Sequence, residues 1–122
     1  MLNVDIVSDI VCPWCFIGTR RLEAAVDLVR RDDPRFAVRT RWRPFFLNPD
    51  TPPEGEPYLP FLERKFGGRG AVEALFGRVR AAGRAWGIEF EFERIALRAN
   101  TLRAHRLIAW AQRQGPADEL VQ

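Results

Sequence analysis

The stretch that most constrains this chain is an apolar, β-branched run from Val4 to Val11 that stops at Cys12-Pro13-Trp14-Cys15. Such a run, of strand length and followed by a turn signal, reads as a short buried strand. Pro13 fixes φ and carries no N–H, so it suits the first turn of a helix, whose early amides have no intrahelical partner. Those amides and the positive end of the helix dipole would face Cys12. Thiols so placed reach pKa values as low as ~3.5 against ~8.5 for a free thiol, a range worth roughly 7 kcal/mol at ~1.36 kcal/mol per unit. The sequence therefore predicts Cys12 as a nucleophile, partly bared to solvent and charged at neutral pH. Cys15, one helical turn on, is predicted to attack and resolve the mixed disulfide.

Two close cysteines also suit zinc, but a structural zinc wants four ligands in tetrahedral array. Only Cys12, Cys15 and His105 are soft donors here, so a metal would need a carboxylate or a second chain to complete it. Inert core packing is the other bland reading of a cysteine. Strand, Cys-x-x-Cys and amphipathic helix in that order form a redox arrangement. No metal is expected.

Along the chain, Ile17, Leu22, Ala25, Val26 and Val29 recur at near-helical spacing from Phe16 to Arg31, and Asp32-Asp33-Pro34 stops the helix. Phe36 to Phe46 alternates, with Phe36, Val38, Thr40 and Trp42 on one face and Ala37, Arg39, Arg41 and Arg43 on the other. Strand, crossover helix and strand predict a parallel pair. Residues 1–47 form this β-α-β unit, residues 48–57 a proline-rich connector, and residues 58–122 a helical region. Helices are predicted over Leu59–Phe66, Ala71–Trp86 and from Asn100 or Thr101 to Gln114, with an extended link at Phe90–Glu93 and a last helical start at Pro116.

The 122 residues are enough for one domain, and 47% apolar with 29% charged content excludes a disordered chain. The net charge of +3 comes from arginines interspersed with acids, Lys65 being the only lysine, so no nucleic-acid partner is expected. No stretch reaches the ~20 apolar residues of a membrane span, and the strand starts too near Met1 to leave room for a secretory leader. The expected compartment is the cytoplasm, where a cysteine pair is more often catalytic than structural.

Three blocks carry a family resemblance: Val7-Ser8-Asp9-Ile10-Val11-Cys12-Pro13-Trp14-Cys15-Phe16-Ile17-Gly18, Arg41-Trp42-Arg43-Pro44-Phe45-Phe46-Leu47-Asn48-Pro49-Asp50 and Ala99-Asn100-Thr101-Leu102-Arg103-Ala104-His105-Arg106-Leu107. In this order they resemble the FrnE-like branch of the DsbA thioredoxin-fold oxidoreductases. The resemblance implies an α/β, thioredoxin-like β-α-β start, a helical insert, and then β-β-α with a cis-proline loop facing the cysteines. No such β-β-α follows in this sequence, so the expected architecture is the first half of the fold with a partial insert, its open sheet either leaving the chain marginally stable or completed by a second copy. It also implies a thiol-disulfide oxidoreductase or isomerase in which Cys12 attacks and Cys15 resolves. The related 2-hydroxychromene-2-carboxylate isomerases and kappa-class glutathione transferases typically carry serine at the place of Cys12.

Asp9, three residues before Cys12, is a candidate to relay a proton to Cys15, against an exposed loop acid or a cap; Asp5 is a weaker one. Trp14 tunes the pair or contacts substrate at its rim. His105, placed on one face with Leu102 and Ala109, reads as a surface or boundary residue, and the resemblance adds a contact role beside the cysteines together with Asn100 and Thr101. Trp42, Phe45, Phe46, Phe61, Phe66, Phe76, Trp86 and Trp110 are expected to be packed. The functional expectation is exchange on protein or small-molecule thiols, with no cofactor beyond the disulfide and glutathione as a candidate exchange partner. The competing readings are a glutathione-dependent isomerase or transferase, and a non-catalytic fragment that only binds or assembles.

Overall fold

In the computed structural model, which describes residues 1–122, β1 (Leu2–Ser8) and β2 (Val38–Pro44) run parallel, from Leu2 opposite Val38 to Ser8 opposite Pro44. Parallel neighbours need a crossover, and the 20-residue α1 (Pro13–Asp32) supplies it. The alternation in β2 is the expected one. Val38 and Thr40 are half-buried and Trp42 buried, whereas Arg39, Arg41 and Arg43 are exposed. On that outer face Asp5, directly opposite Arg41, accepts both arms of the Arg41 guanidinium at 2.8 and 3.0 Å and Arg43 Nε at 3.3 Å. Asp5 is thus a sheet-surface ion-pair partner and not a proton relay.

β1 ends three residues earlier than expected, because the chain must leave the sheet before Pro13 can begin a helix. Asp9 to Cys12 make that exit as a turn closed by the Cys12 N–H on the Asp9 carbonyl at 3.1 Å. α1 buries Ile17 and Thr19 and half-buries Leu22 and Val26, but Ala25 and Val29 lie exposed. A sheet of two strands is too narrow to cover the whole predicted stripe. What remains is a cleft of about 380 Å3 whose lining includes Ile6, Leu22, Val26, Val38 and Trp42.

The expected single helical region 58–122 is divided in the structure. Met1–Leu47 and Thr101–Gln122 form one compact unit, and Asn48–Asn100 the other. In the first unit α4 (Leu102–Gln114) and α5 (Asp118–Val121) pack with β2, whereas α2 (Tyr58–Phe66) and α3 (Arg69–Arg84) belong to the second. Trp42 is the hub, in a core with Ile108 and Ala117 flanked by Ile6, Ala111 and Val121. Apolar burial draws α4 there, since Ile108 and Ala111 find Trp42. Gln112 adds direction: its Oε1 accepts the Trp42 backbone N–H at 2.6 Å and its Nε2 donates to the Trp42 carbonyl at 3.0 Å. One side-chain amide thereby stands in for a strand neighbour at the outer edge of β2. The Asp118 carboxylate accepts Thr40 Oγ1 at 2.6 Å and Trp42 Nε1 at 3.2 Å, fixing α5 on the same strand.

The second unit includes the prolines expected as a connector. β3 (Glu56–Pro57) and β4 (Leu97–Arg98) pair antiparallel, a two-residue bridge too short to leave an alternating pattern. α2 (Tyr58–Phe66) ends at Gly67, whose φ of 92° is the left-handed cap that favours glycine. α3 (Arg69–Arg84) follows, and a 3-10 turn at Phe92–Arg94 replaces the extended link expected there. Leu62, Val72, Phe76, Val79, Ile88 and Phe92 are buried, with Phe76 stacked on Phe92 at 4.4 Å. Arg98 is buried too, its guanidinium 3.6 Å from the centre of the Phe61 ring and its Nε 2.8 Å from Glu56. Phe45, Phe46, Phe66, Trp86 and Trp110, expected to pack, are exposed. No helix is long and apolar enough to cross a membrane.

Candidate active site around Cys12 and Cys15

Cys12 is the N-cap of α1, extended at φ −94° and ψ 110°, and Pro13 occupies the first turn as its missing N–H predicts. Both cysteines are free thiols and half-buried. The Cys12 carbonyl accepts the Phe16 N–H at 3.2 Å, the first helical bond. Thr19 donates from Oγ1 to the Cys15 carbonyl at 3.0 Å, one turn further in. Trp14, half-exposed, stands at the rim. No acidic residue in the first turn competes with a thiolate for the helix terminus.

The charge state differs from the expected one. Burial pushes the Cys12 thiol up, and the Cys15 thiol beside it adds to the rise, to about 11, although the backbone amides of Cys15 and Trp14 pull the other way. Desolvation disfavours the charged form, and two amides do not outweigh it. The sulfur sits at the amino end of α1 beside that of Cys15, and its burial opposes the charged form that the sequence predicts.

Asp9, in the turn after β1, is buried at 3% exposure and is neither an exposed loop acid nor the cap of α1. Its Oδ1 accepts from His105 Nε2 at 3.0 Å and its Oδ2 from the Leu47 backbone N–H at 2.9 Å. Both carboxylate oxygens are therefore engaged away from Cys15. The contact that does reach the redox turn is the Asp9 main-chain carbonyl, which accepts the Cys12 N–H.

His105 is buried, not a surface residue, with Phe46 edge-on to its ring at a centroid distance of 5.0 Å. The buried face of α4 runs through Thr101, His105, Ile108 and the half-buried Gln112, while Leu102 and Ala109, taken as its face-mates, are exposed. Thr101 caps α4 by position; its carbonyl accepts the His105 N–H at 2.9 Å, and its side chain makes no capping bond. Asn100 belongs to the other unit, where its Nδ2 donates to the Thr51 carbonyl at 2.8 Å. No three His, Cys, Asp or Glu side chains gather as a ligand set.

The sequence reading missed the Asp9–His105 pair and the Leu47 amide that shares the carboxylate. The available signal was the 4-3-4 spacing of Thr101, His105, Ile108 and Gln112, a stripe that places His105 in line with a core isoleucine.

Comparison with known proteins decides the family. The DSBA-like thioredoxin domain model matches residues 3–122. The chain belongs to that family. A crystal structure of a probable DsbA oxidoreductase from Streptomyces coelicolor is 30% identical and superposes with a TM-score of 0.79 over 99% of the chain. This DSBA-like chain spans about half, 51%, of that protein's length. No curated protein matches it. The mixed α/β, thioredoxin-like character of the chain is thereby established, with β1-α1-β2 as its opening unit.

Proposed function

We propose that this DSBA-like chain carries out thiol-disulfide exchange at Cys12 and Cys15, as a protein-disulfide oxidoreductase or isomerase of the FrnE-like branch. The observation that carries the reading is the placement of two free, half-buried thiols in mutual contact at the amino end of α1. Once deprotonated, Cys12 attacks one sulfur of a substrate disulfide; the substrate S–S bond breaks, the other sulfur leaves as a thiolate, and a mixed disulfide forms. Cys15 then loses its proton and attacks the Cys12 sulfur, releasing the second substrate thiolate. Two electrons pass from the dithiol to the substrate, and a Cys12–Cys15 disulfide closes. The reverse sequence oxidises a substrate dithiol.

The substrates are protein or small-molecule thiols and disulfides, and glutathione is the exchange partner that would reset the pair without a metal or an organic cofactor. The setting we propose is the cytoplasm, where a close pair of cysteines is more often catalytic than structural. Nothing in its charge pattern favours a nucleic acid. The open cleft between α1 and the sheet supports association with a second copy. Insulin reduction in the presence of glutathione tests the catalytic reading. Turnover that disappears in Cys12→Ser and stalls as a trapped mixed disulfide in Cys15→Ser supports it. A chain that turns over nothing, with Cys12→Ser indistinguishable from it, is a binding or assembly module instead.

A further inference from the structure

We propose that His105 is a positioning residue for the Cys12 turn, acting through Asp9. Three separate pieces of the first unit meet on that one aspartate. His105 from α4 holds Oδ1 at 3.0 Å, the Leu47 amide from the segment after β2 holds Oδ2 at 2.9 Å, and the Asp9 carbonyl takes the Cys12 N–H at 3.1 Å. The neighbouring Phe45 N–H on the Ser8 carbonyl, at 3.1 Å, extends β1–β2 pairing up to the same point. Asp9 and His105 are both more than nine-tenths buried, so neither can exchange its partner for water without moving.

The consequence for the thiol follows from bookkeeping of amides. With the Cys12 N–H spent on Asp9, the donors left to face the Cys12 sulfur are those of Trp14 and Cys15. A loosened Asp9 frees the Cys12 N–H, relaxes the extended N-cap geometry and changes how far the sulfur is covered. His105 cannot drift, since α4 fixes its backbone and Phe46 stands edge-on to its ring. The imidazole acts by holding the side chain of the residue whose main-chain carbonyl holds the turn.

The exchange consequence rests on the function proposed above, but the positioning itself can be read without it. The full chain, reduced, is alkylated with iodoacetamide at fixed pH and the Cys12 rate followed by peptide mass spectrometry. The Cys12–Cys15 equilibrium with glutathione is measured in parallel, with far-ultraviolet circular dichroism as a check of fold. His105→Leu is expected to change both quantities by about fivefold. His105→Gln, whose amide reaches the place of Nε2, is expected to restore them to within about twofold. His105→Asn keeps a polar side chain but falls short of Asp9, so it is expected to behave as the leucine variant; it serves if the leucine variant does not fold. Variants that lower thermal stability while the Cys12 alkylation rate and the glutathione equilibrium stay at wild-type values overturn the proposal. A wild-type chain that exchanges no disulfide removes the proposed function yet leaves the alkylation comparison to decide this inference.

Discussion

The protonated state of Cys12 is the sharpest prediction, because sequence and structure oppose each other on it. A thiol held near about 11 is ionised to about one part in ten thousand at pH 7, against roughly 3% for a free thiol near 8.5, a ratio of about 300. The more basic thiolate is also the better nucleophile, and a Brønsted slope of about 0.45 over about 2.5 units returns a factor near ~13. The reduced chain should therefore react with iodoacetamide at Cys12 roughly 25 times more slowly than free cysteine at pH 7. Its rate should climb about tenfold per pH unit through pH ~10 with no plateau. Cys15→Ala removes the neighbouring thiol that helps raise the value, so its curve should move to lower pH. A plateau at or below pH ~8 would refute the reasoning, because it would mean that the amino-terminal amides of α1 outweigh burial. The same protonation has a redox consequence. An uncharged Cys12 gives the reduced state none of the charge stabilisation that makes a strong oxidant, so the couple should lie nearer ~−270 mV than ~−120 mV.

Asp9→Ala should cost about 3 kcal/mol in urea unfolding, since it strands the Leu47 amide and the buried His105 imidazole; a loss under about 1 kcal/mol would show that water replaces the carboxylate. Asp5 has its carboxyl held below the ordinary 3.8, first by its Arg41 hydrogen bonds, with Arg43 adding to them. Its small contribution is present above about 3.8 and fades as pH falls through the lower folded value, so Asp5→Asn should lower stability slightly near pH 7 and converge on the wild type as pH falls through that window. Gly83→Ala should destabilise the second unit by about 1–3 kcal/mol, because a Cβ there would stand 2.6 Å from the Phe90 ring and 3.3 Å from the Ile88 carbonyl; near-equal unfolding midpoints would show that the ring yields freely. Light scattering should find a dimer if the open sheet of the first unit is covered by a second copy, and a monomer at every concentration would dismiss that association.

What could be read without coordinates was whatever local periodicity encodes. Val38, Thr40 and Trp42 alternate with arginines, so β2 declared both its type and its inner face; Pro13 declared the first turn of α1. The exit of β1 was misjudged by three residues because Ile10 and Val11 are apolar yet sit in a turn, where their side chains are exposed. The partition of the helices was invisible for a different reason. Nothing in Leu102–Gln114 says which apolar surface it will cover, and the answer depends on Trp42, sixty residues earlier, offering both a ring to Ile108 and unpaired strand-edge groups to Gln112.

The site shows the same division in one place. A Cys-Pro-x-Cys turn is local chemistry, and its position at the head of α1 follows from proline alone. The charge on its sulfur is a property of surroundings, where burial of the thiol opposes the pull of the amides at the head of α1. Asp9 sharpens the point. Its spacing from Cys12 suggested a carboxylate aimed at Cys15, but a carboxylate at 3% exposure must satisfy both oxygens, and the donors within reach were Leu47 and His105. Only its main chain remained for the redox turn. The residues that shape this site therefore act by what they occupy: Gln112 the edge of a strand, His105 a carboxylate, Asp9 the amide of the cysteine that does the chemistry.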